Sequence, residues 1–327
     1  SARRSTSRGG SRTQLGPLRS MAIRERSAFS SGAAQFLDPV VLSRINNLEL
    51  LARTVVDGFL HGLHRSPHLG LSLDFAEHRA YMPGDDIRRV DWRLFARTDR
   101  FYVKQFEAET SANFMVVLDV SKSMSFGTHS ANKLDYARYL AASLAYFSQK
   151  QRDRVGIVTF DHTIVEYVPP STRHLELILH TLARVKPGRP GSLRDPLRRL
   201  GETLNHRGII LLLSDFYEEP QEVIDSVRHL RSRGHDVIVF HVLDPEELGF
   251  TYRTPASFQD LESDTMIPIV PDELADDYRA LIQNHTSELS RLFTGSQIDY
   301  TLLDTSKPLD YALFHYLSLR EKVTRVR

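Results

Sequence analysis

Phe114-Met-Val-Val-Leu-Asp-Val-Ser-Lys-Ser-Met-Ser125 decides the reading of this chain. Phe114 to Leu118 is an uncharged, partly β-branched run, the pattern of a strand buried on both faces of a parallel sheet. It stops at Asp119, and hydroxyls follow at alternate positions, Ser121 and Ser123. One carboxylate and two hydroxyl oxygens on a tight loop form a donor set for a hard cation such as Mg²⁺. They stand at the carboxyl end of a strand, where open α/β sheets place their ligands. The plainer reading is a strand-to-helix turn with serine caps. Three oxygens in phase favour the metal.

Working outward, the segments downstream alternate. Leu134 to Gln149 reads as a helix, Val155 to Phe160 as a strand, and Ile164 to Val168 as a hairpin edge. Leu175 to Leu182 and Asp195 to Asn205 read as helices, with the loop Lys186 to Ser192 between them. Gly208 to Ser214 is a second buried strand, ending at Asp215. A helix to Ser232 follows, then a third core strand, Asp236 to Leu243. Glu246 to Pro271 breaks the rhythm and looks like an inserted β-hairpin. Helix, edge strand and helix close the chain over 273–293, 297–303 and 309–325. Such alternation predicts right-handed βαβ units and an α/β fold, a mostly parallel sheet with helices on both faces.

Upstream, Ser1 to Ser27 carries seven Arg against the one acid Glu25, and 1–37 reads as a disordered basic tail. Asp38 to His64 has apolar residues at helical spacing, from Val41 and Ile45 through Val55 to Leu63, and predicts one long helix. With the segment to 111 it is expected to form a smaller N-terminal α+β unit, ahead of a main domain over 112–327. His61, His64 and His68 cluster near that helix's end, without a carboxylate at ligand spacing. Between 81 and 97 lie Tyr81, Asp85, Asp86, Arg88, Asp91, Trp92 and Arg97, around the turn Pro83-Gly84. That density fits either an internal ion-pair lattice or a recognition surface.

Composition excludes several classes. The 42 basic residues against 41 acidic leave a net charge of +1, so no polyelectrolyte partner is written into the whole chain. Cysteine is absent, which removes disulfides, thiolate zinc sites and a cysteine nucleophile. No apolar run reaches the roughly 18 residues of a membrane span. The expectation is a soluble, cytoplasmic protein.

Asp119-x-Ser121-x-Ser123, Ser192 and Asp215 resemble the metal-ion-dependent adhesion site of von Willebrand factor type A domains. The resemblance implies a Mg²⁺ or Mn²⁺ ion on those five residues, the two aspartates acting partly through water. The family commonly has Thr where Ser192 stands. Tyr81-x-Pro-Gly-Asp-Asp-x-Arg-x-x-Asp-Trp92 with Ala96-Arg-Thr98 is similar to the signature of the domain of unknown function 58 family, a bacterial von Willebrand-A relative. That likeness covers about Leu48 to Lys322. It implies a non-enzymatic adaptor or co-chaperone of a MoxR-type AAA+ ATPase, or of another protein presenting an Asp or Glu. Many members carry two transmembrane helices ahead of the signature, so the expectation here is the soluble form.

The rival from another class is a phosphoryl-transfer or hydrolytic enzyme using Asp119. The Asp-x-Asp kind needs a second Asp at position 121, where this chain has Ser. Phosphate-loop and nucleophile-elbow motifs are missing as well. A third reading, nucleic-acid binding through the N-terminal arginines, ranks last, because Asp85, Asp86, Asp91 and Asp99 offset the later cluster.

Overall fold

The structure is a computed structural model that describes residues 38–45, 47–65, 78–80, 92–104, 112–252, 256–259, 266–269 and 271–326. In chain order the elements begin with α1 (Pro39–Leu42), α2 (Leu48–Arg65), β1 (His78–Ala80), α3 (Trp92–Thr98) and β2 (Tyr102–Lys104). The main sheet and its helices follow: β3 (Asn113–Asp119), α4 (Lys133–Lys150), β4 (Arg154–Phe160), β5 (Ile164–Ser171), α5 (Leu175–Arg184), α6 (Arg194–Thr203), β6 (Gly208–Ser214), α7 (Pro220–Ser232) and β7 (Asp236–Leu243). The chain closes with α8 (Pro245–Gly249), β8 (Ala256–Gln259), β9 (Met266–Ile269), α9 (Pro271–Gly295), β10 (Asp299–Asp304) and α10 (Asp310–Val326).

Six strands make one sheet in the order β10-β7-β6-β3-β4-β5. Every pairing is parallel except the edge, where β5 returns antiparallel to β4. This is the expected α/β class, and the strands read from the sequence over 114–118, 155–160, 164–168, 208–214, 236–243 and 297–303 each correspond to one of its strands.

The buried run Phe114 to Leu118 feeds two cores by simple alternation. Phe114, Val116 and Leu118 join the apolar cluster of α2, α4, α5 and α10. Met115 and Val117 point the other way, into the cluster of α6, α7 and α9. Helices therefore cover both faces, which is why the strand carries no polar alternation.

Chain order positions the site. From β3 the chain runs outward through β4 to β5. It then crosses back to β6 and runs outward the other way, through β7 to β10. The strands β3 and β6 are adjacent but lead in opposite directions. The crevice outside their carboxyl ends is where such sheets accept ligands.

Two expectations are corrected. The single helix from Asp38 is two. α1 ends at Ser43, and α2 starts afresh behind Asn47, whose Oδ1 accepts the Leu50 N–H at 3.0 Å. Asn at that point offers the chain a cap in place of continued helix. The break shifts the register, so Val41 is 37% exposed and Leu42 is buried instead.

The second correction is to the boundary. The expected separate unit over 38–111 does not include α2. Leu51, Ala52, Val55, Val56 and Phe59 bury themselves in the same cluster as Phe114 and Leu140. Burying five such side chains contributes on the order of 1 kcal/mol or more apiece, so α2 is bound into the main core. β1 and β2 form an antiparallel pair of their own, and β8 with β9 is the expected inserted hairpin. The expected basic tail lies outside the described residues.

Candidate functional site

The site begins with the end of β3. Asp119 Oδ1 accepts the Ser121 backbone N–H at 2.8 Å, which curls the chain back over the strand end. A 3-10 turn, Lys122–Ser125, then returns Ser123, and the Ser121 and Ser123 hydroxyl oxygens meet at 3.0 Å. The neighbouring strand contributes Ser214, whose hydroxyl donates to Asp119 Oδ2 at 2.6 Å. All four side chains are buried.

A third loop closes over them from the 185–193 segment. Gly188 N–H donates to the Val120 carbonyl (2.6 Å), and Lys122 N–H donates to that of Arg189 (3.1 Å). Gly191 lies so near that a Cβ there would fall 2.8 Å from Ser121 Cβ. Only glycine permits that approach. Ser192 follows it, half-buried, its N–H donating to the Asp161 carbonyl at 3.2 Å. The loops of Asp119, Ser192 and Asp215 thus open at one end of the sheet.

Asp161, which sequence reasoning passed over, is what fastens this loop. Its carboxylate accepts the N–H of Thr163 (2.9 Å) and of Arg189 (3.2 Å). Burial works to raise its pKa, but those backbone donors and His162 outweigh it and hold the carboxyl below its usual range. The signal was available: like Asp119, it ends a buried strand.

Asp215 is held differently. Its Oδ2 accepts from Lys133 Nζ at 2.8 Å, and the same ammonium donates to Glu247 Oε1 at 2.7 Å. Lys133 is wholly buried and lies 4.6 Å from the centre of the Tyr217 ring. Burial alone would depress its pKa, but Asp215 and Glu247 raise it, so it stays charged. Glu247 Oε2 in turn accepts the Asp244 N–H at 2.8 Å, completing a capping box on α8. The box was legible as Asp-x-x-Glu. Lys133 carried a fainter mark, a basic residue in a helix's first turn, where the dipole disfavours it.

Asp119 has no such counter-charge; among the described residues no ion pair reaches it. Burial, then the nearby Asp215 carboxylate, push its pKa up from 3.8 to about 7, against the opposing hydrogen bonds of Ser214 and Ser121. A buried acid beside two hydroxyls, short of positive charge, fits a hard divalent cation. Asp215 fits less well, because an ammonium already occupies it. Among the described residues no three His, Cys, Asp or Glu side chains form a metal cage. A cation here would rest on one free carboxylate and hydroxyl oxygens.

Of the signature residues, Tyr81, Asp85, Asp86, Arg88 and Asp91 lie outside the described residues. Trp92 opens α3 and is 54% exposed, edge-on to Phe95 (6.1 Å) and Phe101 (6.4 Å). Arg97 is exposed in the last turn of the same helix. Those two described side chains are therefore not sealed inside a lattice. His61 Nδ1 lies 2.6 Å from the Asp57 carbonyl, a local contact; His68 is outside the described residues.

The family model described as "Protein of unknown function DUF58" matches residues 77–288. The chain belongs to the DUF58 family. The uncharacterized protein Rv1480 of Mycobacterium tuberculosis is 30% identical to this DUF58 chain over 265 residues, 79% of it and 83% of the relative. The uncharacterized protein Mb1516 of Mycobacterium bovis matches equally.

Three solved structures are similar in part. An aerotolerance-related membrane protein from Bacteroides fragilis has 15% identity and a TM-score of 0.46, covering 63% of this chain and 98% of its own. BatB from Bacteroides thetaiotaomicron has 15% identity and 0.45, covering 64% and 99%. The VWA domain of SpRpn10 has 12% identity and 0.38, covering 62% and 92%. The class of the fold rests on the chain's own strand order. Among the described residues no helix is long and apolar enough to cross a membrane.

Proposed function

We propose that this DUF58 chain is a non-enzymatic protein–protein interaction module that works in the cytoplasm and binds through a divalent cation at the carboxyl end of its sheet. Mg²⁺ or Mn²⁺ would sit on Asp119, Ser121 and Ser123, with Ser192 at the rim and Asp215, paired with Lys133, outside the ion's shell. The observation that supports this reading is the buried Asp119 carboxylate, which no ion pair among the described residues reaches, beside two converging hydroxyls. Bound there, the ion would keep residual positive charge and an open position for an Asp or Glu from a partner. The partner the family resemblance implies is a MoxR-type AAA+ ATPase, for which the chain would serve as adaptor or co-chaperone.

Binding is favoured over catalysis by the residue types at the site. A second acid at the alternate position, needed for proton transfer in the Asp-x-Asp chemistry, is replaced by Ser121.

The test is retention of a purified MoxR-type ATPase on the immobilised chain, in Mg²⁺ and in chelator. Retention in Mg²⁺ that is lost in chelator and in Asp119→Ala, with the variant's melting temperature preserved, is the expected result. Retention indifferent to chelator would end the cation reading.

A further inference from the structure

Lys133 is a fully buried charged group at this end of the sheet to which the cation reading gives no role. Taking an ammonium fully out of water is costly unless carboxylates surround it. Lys133 has two, and they are not equivalent. Glu247 is fixed, because its second oxygen is tied to the Asp244 N–H within the α8 capping box. Asp244 is fastened in turn by the Thr128 N–H (2.9 Å) and the Thr128 hydroxyl (2.6 Å). Asp215 stands instead on the loop after β6, next to Ser214, which already serves Asp119. The ammonium thus has one permanent anchor and one partner that faces the candidate cation site.

Charge arithmetic shows what this does. A divalent ion on Asp119 alone keeps one positive charge; shared between Asp119 and Asp215 it would keep none. An approaching carboxylate is attracted only in the first case.

We propose that Lys133 is the positioning residue of the site: it holds Asp215 back from the cation and so reserves the ion's residual charge for the carboxylate of a partner. This inference rests on the cation reading above. It makes Lys133 a determinant of what the site accepts, an anionic side chain over a neutral one.

The experiment is Mn²⁺ binding to the full chain, by titration calorimetry or electron paramagnetic resonance, with no partner present. Asp215→Asn should change the dissociation constant by less than about threefold, because Asp215 is already spent on Lys133. Lys133→Met should tighten Mn²⁺ by about tenfold or more, and that gain should vanish in Lys133→Met with Asp215→Asn, as coupled sites require. A gain that survives the second change would be a general charge effect and would overturn the proposal. So would a tenfold weakening by Asp215→Asn alone, since Asp215 would then be a ligand in the native chain. That arm leaves Lys133 and its Glu247 anchor in place, so it stays decisive if Lys133→Met does not fold. Binding by the native chain with no gain in Lys133→Met would sink this inference and leave the cation reading standing. No Mn²⁺ binding by any of the proteins would remove both.

Discussion

The two ends of the main sheet treat buried charge in opposite ways. At the amino end Asp153, just ahead of β4, is fully buried and pairs with Arg320 of α10. The Ala112 N–H donates to its other oxygen at 3.1 Å. Arg320 also donates to the Tyr316 hydroxyl (3.1 Å), which lies 3.0 Å from that of Ser148. One acid meets one base, and the clasp ties the last helix to the starts of β3 and β4. At the carboxyl end Lys133 sits between two acids, and a third, Asp119, has no counter-charge among the described residues. A balanced pair can serve the fold alone. An uncompensated carboxylate costs stability, and one at a sheet's switch point is a candidate for a ligand site.

The largest test of that contrast is Arg320→Ala. It strands Asp153 without its partner and should cost about 3–5 kcal/mol of folding stability, read from urea unfolding. A loss below about 1 kcal/mol would mean the clasp is incidental.

Asp119 should behave in the reverse sense. Its folded pKa of about 7 lies above the ordinary 3.8, so folding favours the protonated acid. That contribution is whole below the ordinary value and is lost as pH rises through about 7. In chelator, the melting temperature should therefore fall between about pH 4 and pH 7, across a shift of about three units, each worth roughly 1.4 kcal/mol. Asp119→Asn should flatten the profile and stabilise the chelated protein at the alkaline end by up to about 4 kcal/mol. An unchanged pH profile in the variant would place the titration elsewhere.

Smaller effects are expected away from both ends. Trp92→Ala removes a ring that is more than half exposed, so stability should shift by about 1 kcal/mol or less. Were it an anchor for the ATPase, affinity would fall by roughly 2 kcal/mol, near thirtyfold, with metal present. An early-melting variant whose folded fraction binds normally would assign the aromatic trio to the scaffold. Smallest of all is Lys150→Ala, which deletes an exposed ion pair to Asp57 across α4 and α2 (3.1 Å) and should move stability by about 0.5 kcal/mol or less.

What the sequence determined by itself is what short-range physics encodes. A buried strand needs a continuous apolar run, and Phe114 to Leu118, Gly208 to Leu213 and Val237 to Phe240 each supply one. A loop that ends such a strand on Asp119 or Asp215 puts oxygen at the edge of the core. Period and breakers were enough to order strands and helices, and to predict that three loops open together. Asn47 shows where this stops, since a repeat of apolar residues continued past a side chain able to cap a new helix. Tertiary structure alone decided the pairing of charge. Lys133 is 82 residues from Asp215 and 114 from Glu247, and no local rule says which carboxylate a buried ammonium will meet. It likewise decided that α2 joins the main core, because an apolar helix face states that it must be covered and leaves open by what. Backbone pattern is a property of neighbours along the chain; burial and charge balance are properties of neighbours in space.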